Sequence, residues 1–335
     1  MTNFSTADDQ PRLRVGFCGT GEYSVKCAEG LFTDLTGKDE TKSLFEVKWV
    51  VTPSPKPVGR RQTLTPSPLD QWAAAQNITA YHVEDKLSAL RERLAAAPEI
   101  DFLVVVSFGY LIPSWLLELP KIAPINVHPS ALPLYRGSSP GQFVILYGET
   151  ESAVSIMKMN TKFDQGSVIS QLPLAVSPLE TQASYYDRAF ELAQLKLPQV
   201  LREYAEGRLE QAQAAPPPDS PLARRLTRDD GYVSWELVEQ ARGGVSSSPL
   251  LTKPRYLGPV LAELVARQPD LTPADLLDRA VRALTPWPGV WTTVPEYKGK
   301  KSVRLKIHSG KINHNQYTLH LVQYEGENPR ELGEK

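Results

Sequence analysis

Cysteine is nearly absent from the 335 residues of this chain: Cys18 and Cys27 are the whole supply, with no Cys-x-x-Cys and no metal-ligand spacing. Disulfide frameworks and thiolate metal centres are thereby excluded, and both thiols are expected reduced, in a reducing compartment. Histidine is scarce too, five in all, and His308, His314 and His320 fit neither a helical i, i+4 pair nor a zinc-finger pattern. They are expected in strands or loops, and no metal site is expected. No apolar run approaches the roughly 20 residues that a bilayer-crossing helix needs. The segment from Met1 to Gln10 is acidic and lacks an apolar h-region, which argues against secretion. Lys and Arg number 37 against 38 acids, a net charge of −1, so any contact with nucleic acid must come from local charge distribution.

Proline, by contrast, is abundant, with 29 residues, and it clusters around Ala214-Ala215-Pro216-Pro217-Pro218. The chain is long enough for two cores on either side of that interruption. The expected division is a domain over 11–208, a Pro-rich linker over 209–222 and a second domain over 223–330.

Leu13 to Cys18 reads as a buried strand entering Gly19-Thr20-Gly21, followed by a helix from Tyr23 to Leu35 and a second strand from Phe45 to Val51. Gly19-x-Gly21-x-x-Ser24 invites a dinucleotide reading. Its third position is Ser, however, and the second strand ends in Val50-Val51-Thr52-Pro53 without a ribose-binding acid. Phe102 to Val106 is continuously apolar, as expected of a central parallel strand covered on both faces.

The stretch that carries chemistry runs from Ile125 to Gly137, where an apolar strand ends in Asn126-Val127-His128 and passes into a Gly/Pro-rich loop. Residues two apart in a strand share a face, so Asn126 and His128 project together. An amide N–H can stabilise an oxyanion, and an imidazole can hold or move a proton, which suits attack on a carbonyl. Asp164, followed by Gln165-Gly166, is by itself a turn signal.

Asn-x-His-x-Ser followed by the Leu132-Pro133-Leu134-Tyr135-Arg136-Gly137 loop, with Asp164-x-Gly166 about thirty residues on, resembles the signature of the N10-formyltetrahydrofolate-dependent formyltransferases. The resemblance implies an α/β fold. It would be a Rossmann-like formyltransferase domain with a mostly parallel sheet, followed by a small OB-like β-barrel. It also implies a catalytic trio of Asn126, His128 and Asp164, and 10-formyltetrahydrofolate as formyl donor with no metal. Phe108, Gly109, Tyr110 and Leu111 resemble the family's segment lining the pterin pocket, and Ser130, Ala131, Leu132 and Pro133 are expected beside it. In this reading the substrate amine is itself the nucleophile. Asn126 donates to the oxyanion, while Asp164 orients His128 and relays a proton.

Two further segments resemble the methionyl-tRNA formyltransferases within that family. The first is the exposed basic stretch Pro53 to Pro68, whose prolines and glycine argue for an irregular loop, with Arg60 and Arg61 suited to phosphates or an unpaired base. The second is Arg282-Ala283-Leu284-Thr285-Pro286-Trp287-Pro288-Gly289, followed by an alternating strand from Val303 to Ile307. Lys298, Lys300, Lys301 and Arg304 concentrate positive charge there, as a face that follows phosphates would need. The implied acceptor is methionyl initiator tRNA and the implied protein a monomer away from membranes. Other amine acceptors of the family, or an idle RNA-binding relative, are the alternatives. The resemblance departs at Ala131, at Leu134 and at Ser138-Ser139, and the segment from Gly244 to Asp275 reads as an insertion. That insertion resembles eukaryotic versions and implies the mitochondrial matrix, with the bacterial cytoplasm as the other option.

Overall fold

The structure is a computed structural model, and it describes residues 12–33, 43–59, 61–212 and 220–333. Arg60 and half of the Pro-rich linker, residues 213–219, lie outside the described residues. The chain folds as two compact units. One comprises Met1–Arg136, Ala153–Leu174 and Tyr186–Ser220; the other comprises Gly137–Ser152, Ala175–Tyr185 and Pro221–Lys335.

The first unit is built on β1 (Leu13–Gly19), α1 (Glu22–Thr33), β2 (Phe45–Pro53), the short β3 (Lys56–Val58) and β4 (Thr63–Thr65), and α2 (Pro68–Ala75). It continues through β5 (Thr79–Val83), α3 (Arg91–Ala95), β6 (Phe102–Val106), α4 (Ser114–Leu117) and β7 (Ala123–His128). After α5 (Pro140–Leu146) come β8 (Glu151–Lys158), β9 (Ser167–Ala175) and the long α6 (Gln182–Ala205). Seven strands form one sheet in the order β5-β2-β1-β6-β7-β8-β9. The first five pair in parallel, and β8 runs antiparallel to β7. Every residue of β6 is buried at mid-sheet, as its unbroken apolar run requires.

Close packing explains two small residues at the first turn. A Cβ at Gly16 would run into the Trp49 ring, so glycine lets that indole cross the sheet. Ser24 is fully buried, donates to Val106 O at 2.8 Å and accepts from Thr20 N at 2.9 Å. The position where a dinucleotide fingerprint needs its third glycine is thus occupied by a hydroxyl that ties β1 to β6. Cys18 and Cys27 are free and buried, and burial raises both thiols, that of Cys27 to about 12, so neither is a nucleophile at neutral pH.

The stretch from Pro53 to Pro68 is exposed as expected but not irregular. β3 and β4 pair as a hairpin with Pro57 opposite Leu64. A two-stranded ribbon leaves one side of each strand unpaired, so a proline without an N–H fits there. Gly59 and Gln62 take left-handed backbone at the turn, with φ of 70° and 50°. At the base of the hairpin, Thr52 and Ser67 share a hydroxyl hydrogen bond of 2.6 Å, and Ser67 also caps α2 by accepting from Asp70 N at 3.1 Å.

The second unit contains α5, α7 (Trp235–Arg242), α8 (Pro259–Arg267), α9 (Pro273–Leu284) and a meander of β10 (Val290–Tyr297), β11 (Lys300–Asn313), β12 (Gln316–Tyr324) and β13 (Arg330–Glu331). The expected small β domain is present, and the strand expected over Val303–Ile307 is the middle of β11. The segment 244–275 is not a surface appendage, because α8 lies within it and buries Val260, Leu261, Leu264 and Val265. Asp230 joins three parts of this unit. Its carboxylate pairs with both Arg224 Nη atoms, accepts from Thr227 N at 2.7 Å and from Val260 N at the start of α8 at 3.1 Å.

Burial alone would raise the Asp230 pKa, but Arg224 and the Thr227 hydrogen bonds outweigh it, and the carboxyl is held below its ordinary value. A depressed folded-state pKa contributes stability above the unfolded pKa of about 3.9 that is lost as pH falls through the folded value. Asp230→Asn is therefore expected to destabilise the protein by about 3 kcal/mol at pH 7 in denaturant unfolding. The difference from the parent should narrow on acidification into the carboxylate range.

Candidate active site

β6 and β7 end side by side, and the side chains of interest sit at their carboxyl ends, where open α/β sheets hold ligands. Asn126 is half-buried, and its amide has no hydrogen-bond partner among the described residues, which leaves its N–H groups for a ligand oxygen. His128 is 4% exposed, two residues on and on the same face.

The ring of His128 is pinned from behind. Nε2 lies 3.2 Å from Tyr135 O, and a carbonyl can only accept, so Nε2 carries the hydrogen. Nδ1 then faces Asp164 Oδ2 at 4.0 Å. That gap is too long for a direct hydrogen bond and short enough for an ion pair. Two acceptor atoms face each other there until a proton reaches Nδ1. A carboxylate at that distance can stabilise an imidazolium, so the arrangement is one able to accept a proton at Nδ1.

The loop holding Tyr135 is braced by residues that the motif does not name. Ser155, fully buried on β8 opposite His128, donates to Ser130 O at 2.7 Å and accepts from Leu132 N at 3.0 Å. Gln171 on β9 donates to Leu132 O at 2.7 Å. Tyr135 itself is buried at φ 54°, a left-handed conformation costly for a bulky residue and sustained by these ties. A serine inside the apolar run Val154-Ser155-Ile156 was the one local signal available; its partners lie 23 to 25 residues away.

Asp164 is placed by the loop after β8. Asn160 accepts from Lys162 N at 2.8 Å and donates to Gln165 O at 3.0 Å, and Asp164 sits at φ 48°. Gly166 is needed because a Cβ there would meet Lys158 O.

Of the residues expected to meet the donor, Phe108 and Tyr110 are half-buried with ring centroids 5.1 Å apart, Gly109 has open space beside it, and Leu111 is 74% exposed. Two aromatic faces and a bare leucine at a strand end fit a flat heterocycle. Ser130 and Leu132 are buried and hold their loop, while Ala131 and Pro133 are half-exposed beside it. Arg61 is exposed at the tip of the β3–β4 hairpin. Lys298, Lys300 and Lys301 are exposed around the β10–β11 turn, where Lys298 pairs with Glu327 at 2.8 Å. Arg304 lies 4.9 Å over the Trp291 ring. No cluster of His, Cys, Asp or Glu able to hold a metal occurs among the described residues.

The Formyl transferase family matches residues 27–201, which contain all three polar residues. The chain belongs to the formyl transferase family. This formyl transferase is 31% identical over 287 residues to the methionyl-tRNA formyltransferase of Myxococcus xanthus, covering 84% of the chain and 76% of that relative. Its fold matches the methionyl-tRNA formyltransferase of Clostridium thermocellum at a TM-score of 0.51 and 14% identity, over 93% of this chain and 98% of the other. It also matches an N-formyltransferase of Helicobacter canadensis in complex with folinic acid and dTDP-3-aminofucose, at 0.53 and 13%, over 92% and 98%.

Two substitutions test the geometry. Gly166→Ala should push the Asp164 loop off β8 and lower kcat by about 10²-fold with the melting temperature little changed. Ser155→Ala removes the hydroxyl that bonds both Leu132 N and Ser130 O and should cost about 1 kcal/mol of stability in denaturant unfolding, with a raised KM for the formyl donor.

Proposed function

We propose that this formyl transferase moves the formyl group of 10-formyltetrahydrofolate to the α-amino group of methionyl initiator tRNA, acting as a monomer. The observation that carries the reaction class is the convergence of the Asn126 amide, the His128 ring pinned by Tyr135 O and the Asp164 carboxylate at one strand end. The acceptor reading is supported by the named relatives, by the exposed hairpin bearing Arg61 and by the small β domain that follows the formyl transferase match.

In this mechanism the neutral amine attacks the formyl carbon directly, and no group of the protein forms a covalent bond. Asn126 donates to the oxygen as it gains negative charge, a contact stronger in the transition state than in the ground state. His128 takes the amine proton on Nδ1, the nitrogen left open by the Tyr135 bond, and Asp164 stabilises the resulting cation. The same proton is then returned to the leaving nitrogen. Phe108, Tyr110 and Leu111 hold the pterin ring in register with Asn126. Among the described residues no helix is long and apolar enough to cross a membrane. The relatives named above are bacterial, which favours the bacterial cytoplasm over the mitochondrial matrix.

The test is transfer of labelled formyl from 10-formyltetrahydrofolate to charged methionyl initiator tRNA, with uncharged tRNA as the blank. Asn126→Ala should fold normally and lose about 10²–10³ in kcat. Near-normal turnover in that variant would overturn the assigned role, and transfer to an amino-sugar nucleotide but not to the charged tRNA would overturn the acceptor.

A further inference from the structure

The second unit carries a groove of about 240 Å³ lined by Asp229, Tyr232, Leu257, Gly258, Pro259 and Trp291, to which no step above assigns a use. Its walls are aromatic and fixed. The Tyr232 and Trp291 rings lie 4.8 Å apart, and the Trp291 indole donates to Arg228 O at 2.9 Å. The two backbones are also joined by a bridge, with Val233 N donating to Trp291 O at 3.0 Å. Both rings are only half-buried.

The rim is cationic on one side. In the antiparallel register of β10 and β11, Trp291 stands opposite Lys306 and Thr293 opposite Arg304. Directly opposed residues share a face, so Lys306 and Arg304 flank the indole on the outward side, away from buried Val290, Thr292, Val303, Leu305 and Ile307. Arg304 already stacks on the Trp291 ring at 4.9 Å. A groove for an apolar peptide would have no use for cations at its edge. A groove lined by two aromatic rings and Asp229, with two cations outside, matches a planar base that carries a phosphate.

We propose that this groove seats one unpaired nucleobase of the RNA acceptor, stacked against Trp291 and Tyr232, with its phosphate on Arg304 and Lys306. The proposal rests on the acceptor reading above and adds a contact in the second unit that discriminates unpaired from paired RNA. Because every base has a stacking face, the slot provides affinity and orientation rather than a sequence code.

The test uses the full chain and deacylated initiator tRNA, with short-wavelength ultraviolet cross-linking read by mass spectrometry and Kd by filter binding. Cross-links are expected at Tyr232 or Trp291. Trp291→Ala should raise Kd by roughly 5- to 150-fold at a temperature where circular dichroism shows the variant still folded, and Trp291→Phe, which keeps a ring, should restore most of the affinity. Arg304→Gln, a change on the outward face that leaves the core intact, should weaken binding and lower the salt slope by about 1. Wild-type binding with no cross-link in the groove and Kd unchanged in Trp291→Ala and Arg304→Gln overturns the inference and leaves the acceptor reading standing. Failure of the wild-type chain to bind tRNA overturns both.

Discussion

The site depends on one backbone carbonyl. Tyr135 O holds Nε2 of His128 and so decides which imidazole nitrogen is open, and everything around it maintains that contact. Tyr135 is in a left-handed conformation, Ser130 ties its hydroxyl to Leu134 O at 2.8 Å, and Ser155 and Gln171 fasten the turn from the neighbouring strands. A histidine free to rotate would present either nitrogen, and the facing carboxylate would then hold the ring by Nδ1–H instead of waiting for a proton. In the proposed mechanism, fixing the far nitrogen is what lets His128 and Asp164 receive a proton instead of serving as a structural pair.

The parallel sheet supplies the position. β6 and β7 run in the same direction, so the aromatic loop after Val106 and the Asn126/His128 pair emerge at the same edge; β8 runs antiparallel with Ser155 opposite His128, and the loop that follows it brings Asp164 Oδ2 to 4.0 Å from His128 Nδ1. The buried run of β6 anchors the arrangement, because slipping its register would draw a polar neighbour, Asp101 or Ser107, into the core. Formyl transferases matched in fold are named for different acceptors, tRNA in one and an amino-sugar nucleotide in the complex of another.

Much of this was legible in sequence because it is local. A period of two puts Asn126 and His128 on one face, an unbroken run of valines puts β6 at the centre, and scarce cysteine and histidine leave no metal-ligating cluster to expect. What was not legible is what crosses the chain. Ser155 and Gln171 act on residues 23 to 39 positions away and look like ordinary members of alternating strands. Gly166 reads as a turn glycine, and only the approach of Lys158 O shows why no side chain fits. One local reading also yielded to tertiary context. Prolines between Pro53 and Pro68 suggested an irregular loop, yet the Thr52–Ser67 hydroxyl bond spans the base of a regular hairpin there.

The most direct measurement of the central claim is the tautomer of His128, read from the ring nitrogen shifts of ¹⁵N-histidine-labelled protein and assigned against His128→Gln. The account predicts that neutral His128 carries its proton on Nε2, with a lone pair at Nδ1, and that Ser155→Ala disorders this preference. A neutral ring protonated on Nδ1 would mean that Asp164 merely holds the imidazole, and would contradict the account.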